Sequence, residues 1–203
     1  MFLTTIVTNP VFFLRYIAII IISITIHELA HGFAAMSQGD DTPKRTGHIT
    51  LNPVVHMGVE SLIFLCIAGI SWGKMPVNPY KFRNGRISDI WVSAAGPLSN
   101  LALGFLSILL LLIFYNSGLL SRDFLYLAAR INLTLFLFNI LPIPPLDGFS
   151  IFSNIFTELK QLQGSPIGTF GLMIIFLIPG FGGALIGISD SVILNFIKLR
   201  FSL

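Results

Sequence analysis

An apolar run of about 25 residues, Val11 to Ala35, carries two histidines and a glutamate toward its far end, and this feature limits the fold more than any other. As a helix it rises about 37 Å, enough to cross the roughly 30 Å hydrocarbon core of a bilayer. A secretory signal fits poorly, because its apolar region is about 7 to 15 residues and ends at a small-residue cleavage site. Within the run, His27-Glu28-Leu29-Ala30-His31 puts two imidazoles four residues apart on nearly one helix face, with a carboxylate between them. That spacing suits one zinc ion gripped by His27 and His31, with Glu28 beside an open, water-filled position as general base.

Composition points the same way. The chain of 203 residues is 54% hydrophobic and only 10% charged, where soluble domains carry about 25% charged residues. The expected fold is an all-α polytopic membrane protein with four to six transmembrane segments and a small β-like or re-entrant interfacial element between the first and second core helices. Net charge is +3 with no dense basic block, which argues against nucleic-acid partners. The single cysteine, Cys66, excludes an intrachain disulfide and a four-cysteine zinc site. No internal repeat or appended soluble domain stands out, so residues 1–203 read as one domain, with a zinc-binding core over 11–159 and C-terminal helical segments over 167–199.

Beyond the first run, residues 37–53 are polar and turn-rich and contain the β-like stretch His48-Ile49-Thr50-Leu51. Residues 61–71 are apolar but too short to cross, and fit a re-entrant segment unless a helix begins near Val54. Residues 72–90 are again polar. Spanning helices are expected from Ile90 to Tyr115, with Pro97 able to kink the axis, and from Phe124 to Leu141. Leu141-Pro142-Ile143-Pro144-Pro145 removes three backbone donors, a break tolerated at membrane depth only beside a protein-lined cavity. A short helix follows from Asp147 toward Leu159, and the tail over 167–178 and 184–199 reads as a broken span or a tight hairpin. If Lys44, Arg45, Lys74, Lys81, Arg83 and Arg86 share one side, the excess of positive charge places that side in the cytoplasm, provided that residues 61–71 are re-entrant.

Catalytic zinc takes three protein ligands and leaves one position for water. Candidates for the third are Asp147, His48, His56 and Glu60. Asp147 is preferred as the ionisable residue of a long apolar region just after the broken segment, although an aspartate there also suits a helix N-cap. His56 and Glu60, four residues apart on one helix face, either make a second or alternative site or sit at the interface, solvated or hydrogen-bonded to loop backbone. Burying a carboxylate such as Glu28 in a span costs about 2.5 to 3.5 kcal/mol, a cost that normally marks function.

Taken together, the motifs resemble the site-2 protease family of intramembrane zinc metalloproteases, in its compact bacterial branch without PDZ or CBS domains. The matching pieces are His27-Glu28-Leu29-Ala30-His31-Gly32, Gly47-His48-Ile49-Thr50-Leu51-Asn52-Pro53, Pro76-Val77-Asn78-Pro79 with Phe82-Arg83-Asn84, Ala95-Gly96-Pro97-Leu98-Ser99-Asn100, and Asn139 through Gly148. Met57-Gly58-Val59-Glu60 departs from the family's usual turn, and residues after Leu159 match only in hydropathy. The resemblance implies Asp147 as third zinc ligand, one Zn2+ per chain, and hydrolysis of peptide bonds within or near transmembrane segments of membrane-protein or peptide substrates. It also implies Asn139 as a donor to the developing oxyanion or to the substrate backbone. Asn100 and Asn132 are expected to join helices or line a water path. An edge at residues 47–52 is expected to hold unwound substrate by strand addition. The implied location is the bacterial plasma membrane with the active site nearer the cytoplasm. The rivals are a metal or proton transporter, and a catalytically silent zinc-binding membrane protein.

Overall fold

A computed structural model describes residues 2–116, 119–162 and 166–201. Regular structure among these residues is helical: α1 (Pro10–Ser37), α2 (Pro53–Ala68), α3 (Arg86–Ile113), α4 (Arg122–Asn139), α5 (Asp147–Ile155), α6 (Pro166–Leu177) and α7 (Phe181–Phe201), with shorter single turns between them. The protein is an all-helical, polytopic membrane protein. Among the described residues three helices, α1, α3 and α7, are long and apolar enough to cross a bilayer, against four to six segments expected from hydropathy. The shorter or more polar helices account for the difference: α2 has 16 residues and a break inside it, α6 has 12, and α4 carries Arg122, Asp123 and Arg130.

The same local chemistry starts several elements. In Asn9-Pro10 and Asn52-Pro53 the asparagine side chain caps the helix, accepting from the Phe12 and Val54 amides at 3.1 and 3.0 Å, while proline occupies the first turn, where its missing N–H costs nothing. Asn78-Pro79 repeats this at the single turn Pro79–Lys81, accepting from the Tyr80 amide at 3.1 Å. The stretch His48–Leu51 does not form a strand; it runs as bends, with the His56 ring bonded to the Thr50 carbonyl at 2.7 Å in place of a ladder.

The chain divides into two compact units, Met1–Ser88 and Asp89–Leu203, with the boundary in the first turn of α3. In the first, α1 packs on α2, whose C-terminal end is tied back where the Tyr16 hydroxyl donates to the Gly69 carbonyl at 2.8 Å. Helix α2 begins at Pro53 and breaks at Gly58 (φ 72, ψ 163), a backbone conformation that favours glycine. The chain then returns alongside α2 over residues 70–78 without regular secondary structure. Ser61 bonds both the amide and the carbonyl of Trp72, and the Lys74 amide donates to the His56 carbonyl at 2.8 Å. Segment 61–71 therefore turns back rather than crossing.

Asp40, with no exposed surface, joins the far end of this return to the loop after α1. Its carboxylate accepts from the Asn78 amide at 2.6 Å and the Thr42 amide at 2.9 Å, with Lys81 Nζ 4.0 Å away. Burial by itself works against ionisation, but the hydrogen bonds from Thr42 and Asn78 and the charge of Lys81 outweigh it, so the carboxyl titrates below the usual range.

In the second unit, α3, α4 and α7 share a core of Ile108, Leu111, Leu125, Ala129, Leu133 and Ile193. Gly104 lets α3 and α4 approach closely: a Cβ there would meet Leu133 Cδ2 at 2.9 Å. Asn100 donates to Asn132 across the same interface at 3.2 Å, so these amides join helices, as expected. Helix α7 is held to α4 by a forked ion pair, Arg130 Nε to Asp190 Oδ1 at 2.6 Å and Nη2 to Oδ2 at 2.9 Å, with the Tyr126 hydroxyl donating to the same carboxylate at 3.0 Å. The tail turns between α6 and α7 at Gly180 (φ 82).

Two outcomes follow from these polar ties. Asp190→Ala is expected to destabilise the detergent-solubilised protein by about 1–3 kcal/mol, because it strands the Arg130 guanidinium, read as a lowered midpoint of thermal unfolding. Asp40 contributes stability that is fully present above its unfolded value of about 4 and is lost as pH falls through its lowered folded value. Asp40→Asn is therefore expected to lower the unfolding midpoint at pH 7 and to flatten its fall between about pH 5 and pH 3.

Candidate active site

Helix α1 continues unbroken through its histidine pair, so His27 and His31 lie one turn apart, as the four-residue spacing requires. Both rings are buried, as is Glu28 between them. His27 Nε2 and His31 Nε2 stand 3.0 Å apart with the rings nearly perpendicular. Two nitrogens each about 2.0 Å from a tetrahedral zinc ion must lie roughly 3.3 Å apart, so this pair is spaced as two ligands of one metal. In this buried place two facing imidazole lone pairs repel unless a proton or a cation lies between them. The donor chemistry thus fits zinc.

The segment over residues 70–78 roofs this part of α1. Gly73 passes so close that a Cβ there would lie 2.7 Å from Glu28 Cγ and 2.8 Å from Ile24 Cγ2; only glycine fits. Beside it, Ile49 and Met75 cover Gly32, each bringing a side-chain atom to 3.0 Å from where a Cβ would stand. Residues from two loops thus close over the turn of helix that bears Glu28 and His31. Neither Gly73 nor Ser61 stands out in the sequence; the available signal was one glycine in an extended run, which marks close backbone approach.

Asp147 belongs to the second unit, where it is half-buried in the first turn of α5. The cap position is held by Leu146, so the capping role open to Asp147 on sequence grounds is not the one it plays. What places it is Gly148. A Cβ at 148 would meet the Leu141 carbonyl oxygen at 2.5 Å, so α5 starts hard against the end of α4 after the proline-broken link. Asn139, the last residue of α4, donates one amide hydrogen to the Leu135 carbonyl at 3.0 Å.

The remaining candidates stand elsewhere. His48 is held by Thr46 through Nδ1, and its ring centroid lies 6.4 Å from that of His56. Buried His56 bonds the Thr50 carbonyl, and Glu60 is exposed. Because α2 breaks at Gly58, His56 and Glu60 do not share one continuous helix face, contrary to the i,i+4 reading.

Comparison with known proteins agrees with this chemistry. The profile of peptidase family M50 matches residues 15–122 and 116–178. "Putative zinc metalloprotease YwhC" of Bacillus subtilis (strain 168) is 36% identical over 183 residues, covering 84% of this chain and 84% of that protein. "Putative zinc metalloprotease Rip2" of Mycobacterium tuberculosis (strain ATCC 25618 / H37Rv) is 28% identical over 187 residues, covering 87% of this chain and 71% of that protein. "Zinc metalloprotease MJ0392" of Methanocaldococcus jannaschii is 23% identical over 155 residues, covering 76% of this chain and 38% of that protein. No solved structure matches. With a helical membrane fold, a buried histidine pair spaced for one metal, and a profile match over most of its length, the chain belongs to peptidase family M50, the site-2 protease family of zinc metalloendopeptidases.

Proposed function

We propose that the protein cleaves peptide bonds within or near transmembrane segments of membrane proteins, with Glu28 as general base and His27, His31 and Asp147 as the ligands of one zinc ion. The observation that carries this reading is the buried His27–Glu28–His31 turn in a helix long and apolar enough to cross a bilayer. His27 and His31 of α1 and Asp147 of α5 supply the two imidazoles and the carboxylate. Two imidazoles and one carboxylate are the donor set of hydrolytic zinc enzymes that leave a position open for water. When bound, zinc supplies Lewis acidity and lowers the pKa of its water to about 7.

The chain's own residues do the rest. Glu28 accepts the proton of the attacking water at a carboxylate oxygen and returns it to the leaving amine. The second amide hydrogen of Asn139, beyond the one given to Leu135, is the donor assigned to the oxyanion. Substrate must reach the site unwound, because a helical carbonyl is already bonded within its own helix. The strand-addition edge belongs to residues 73–75 rather than to 47–52, which run as bends. In the return Trp72 and Lys74 spend their amides on α2, while among the described residues no hydrogen bond engages the amides of Gly73 and Met75. Alternating direction points those groups to the opposite side, as an edge that an extended peptide can join.

The plasma membrane of a bacterial cell is the proposed location, with the active site nearer the cytoplasm. Lys44, Arg45, Lys74, Lys81, Arg83 and Arg86 all belong to the first unit, in which the Asp41–Lys81 ion pair and the Arg83 amide bond to Gln38 tie the segment after α1 to the residues before α3. This supports the orientation by positive charge.

Purified protein is expected to retain about one zinc per chain in both wild type and Glu28→Gln, while only the wild type cleaves a membrane-spanning test substrate. Asp147→Ala is expected to lose both zinc and cleavage. Equal cleavage by wild type and Glu28→Gln would sink the protease reading. Met75→Pro removes one open edge amide and is expected to reduce kcat/KM for an unwound peptide by about tenfold, with zinc content unchanged.

A further inference from the structure

Glu28 owes its place not only to α1 but to the backbone laid over it, and that backbone is fastened from α2. The Ser61 hydroxyl, with no exposed surface, donates to the Trp72 carbonyl at 2.7 Å and accepts from the Trp72 amide at 2.9 Å. In an extended chain the N–H and C=O of one residue point to the same side, so a single hydroxyl serving both stands in for a neighbouring strand. The next residue is Gly73, whose backbone lies against Glu28 more tightly than any side chain would permit. Trp72 is further secured where its ring meets Phe64, one turn beyond Ser61, with centroids 5.6 Å apart. The return is tied again at Lys74 to the His56 carbonyl and at Asn78 to Asp40. Gly73 is thus flanked by two ties, that of Ser61 at Trp72 and that of the His56 carbonyl at Lys74, and only the first is made by a side chain.

We propose that Ser61 is a positioning residue for Glu28, acting through the Trp72–Gly73 backbone that it clasps. The proposal rests on the reading of Glu28 as general base. Ser61 touches neither Glu28 nor substrate in this role. It sets how far the Gly73 backbone presses onto the Glu28 side chain, and so the direction in which the carboxylate meets its water. A shift of the roof by a fraction of an ångström leaves the histidine pair on α1 untouched but moves the base, and misplacement by about 1 Å is enough to cost some hundredfold in rate. The role also accounts for a helix that is broken at Gly58 and then continues: the segment after the break is the part that carries both Ser61 and Phe64.

The test compares detergent-purified full-length wild type, Ser61→Ala, Ser61→Thr and Glu28→Gln by zinc content, unfolding midpoint and steady-state cleavage of one membrane-spanning peptide. Ser61→Ala is expected to keep about one zinc, to hold KM within about twofold and to lose about ten- to hundredfold in kcat, while Ser61→Thr recovers most of that loss by restoring the hydroxyl. Wild-type kcat in Ser61→Ala, a loss carried by KM alone, or failure of Ser61→Thr to recover any activity while folded overturns the proposal. If Ser61→Ala does not survive purification, Gly73→Ala decides. It leaves the clasp intact and crowds Glu28 from the other side, so reduced kcat with zinc retained supports the proposal and wild-type kcat overturns it. Full cleavage by Glu28→Gln signals instead that the general-base reading has failed.

Discussion

Two imidazoles and a carboxylate in one turn of an apolar helix are the constraint around which the rest of the chain is arranged. Each group loses hydration on burial, and a charged one loses several kcal/mol unless partners replace the water. A metal held by both histidines answers that cost for the rings. Burial of Glu28 in the same turn carries that cost as well. The Gly73 backbone lies over Glu28 and brings polar peptide groups near the carboxylate.

That cover requires an extended segment to run beside helices, where its peptide groups have no sheet to join. Ser61, the His56 carbonyl and the Asp40 carboxylate each take the place of a missing strand neighbour on one side. Among the described residues, the amides of Gly73 and Met75 take no part in these ties. In the proposed reading, one arrangement supplies both a roof for Glu28 and an edge for an extended peptide. The polar side chains responsible are buried and fully engaged, so they sharpen the position of the segment rather than loosening it.

Much of this was legible in the residues. The spacing of His27, Glu28 and His31 survives unchanged in α1 because helical periodicity is local. The Asn-Pro starts at residues 9, 52 and 78 likewise depend on neighbours within one turn. The readings that changed depended on partners distant in sequence. The β-like stretch at 48–51 has suitable residue types, but the strand partner it needs is absent and His56 bonds its carbonyl instead. His56 and Glu60 are four apart, yet Gly58 adopts a positive φ between them and the common face is lost. Asp147 follows prolines as a cap would, but Leu146 occupies that position once Gly148 is pressed onto the end of α4.

The sequence by itself determined the chemistry and the medium: a turn whose two histidines and glutamate have the spacing of a zinc site, on a helix long and apolar enough for a bilayer. Both follow from residue type and from spacing within a few turns, where geometry hardly varies. Only the tertiary structure decided what surrounds that turn. That Gly73 rather than another residue meets Glu28, that Ser61 fastens it, and that Asp40 anchors the far end are outcomes of contacts 11 to 45 residues apart in the chain. Such contacts leave no periodic trace in a sequence, because they depend on the path of the loops and on which backbone groups remain to be satisfied when the helices have formed.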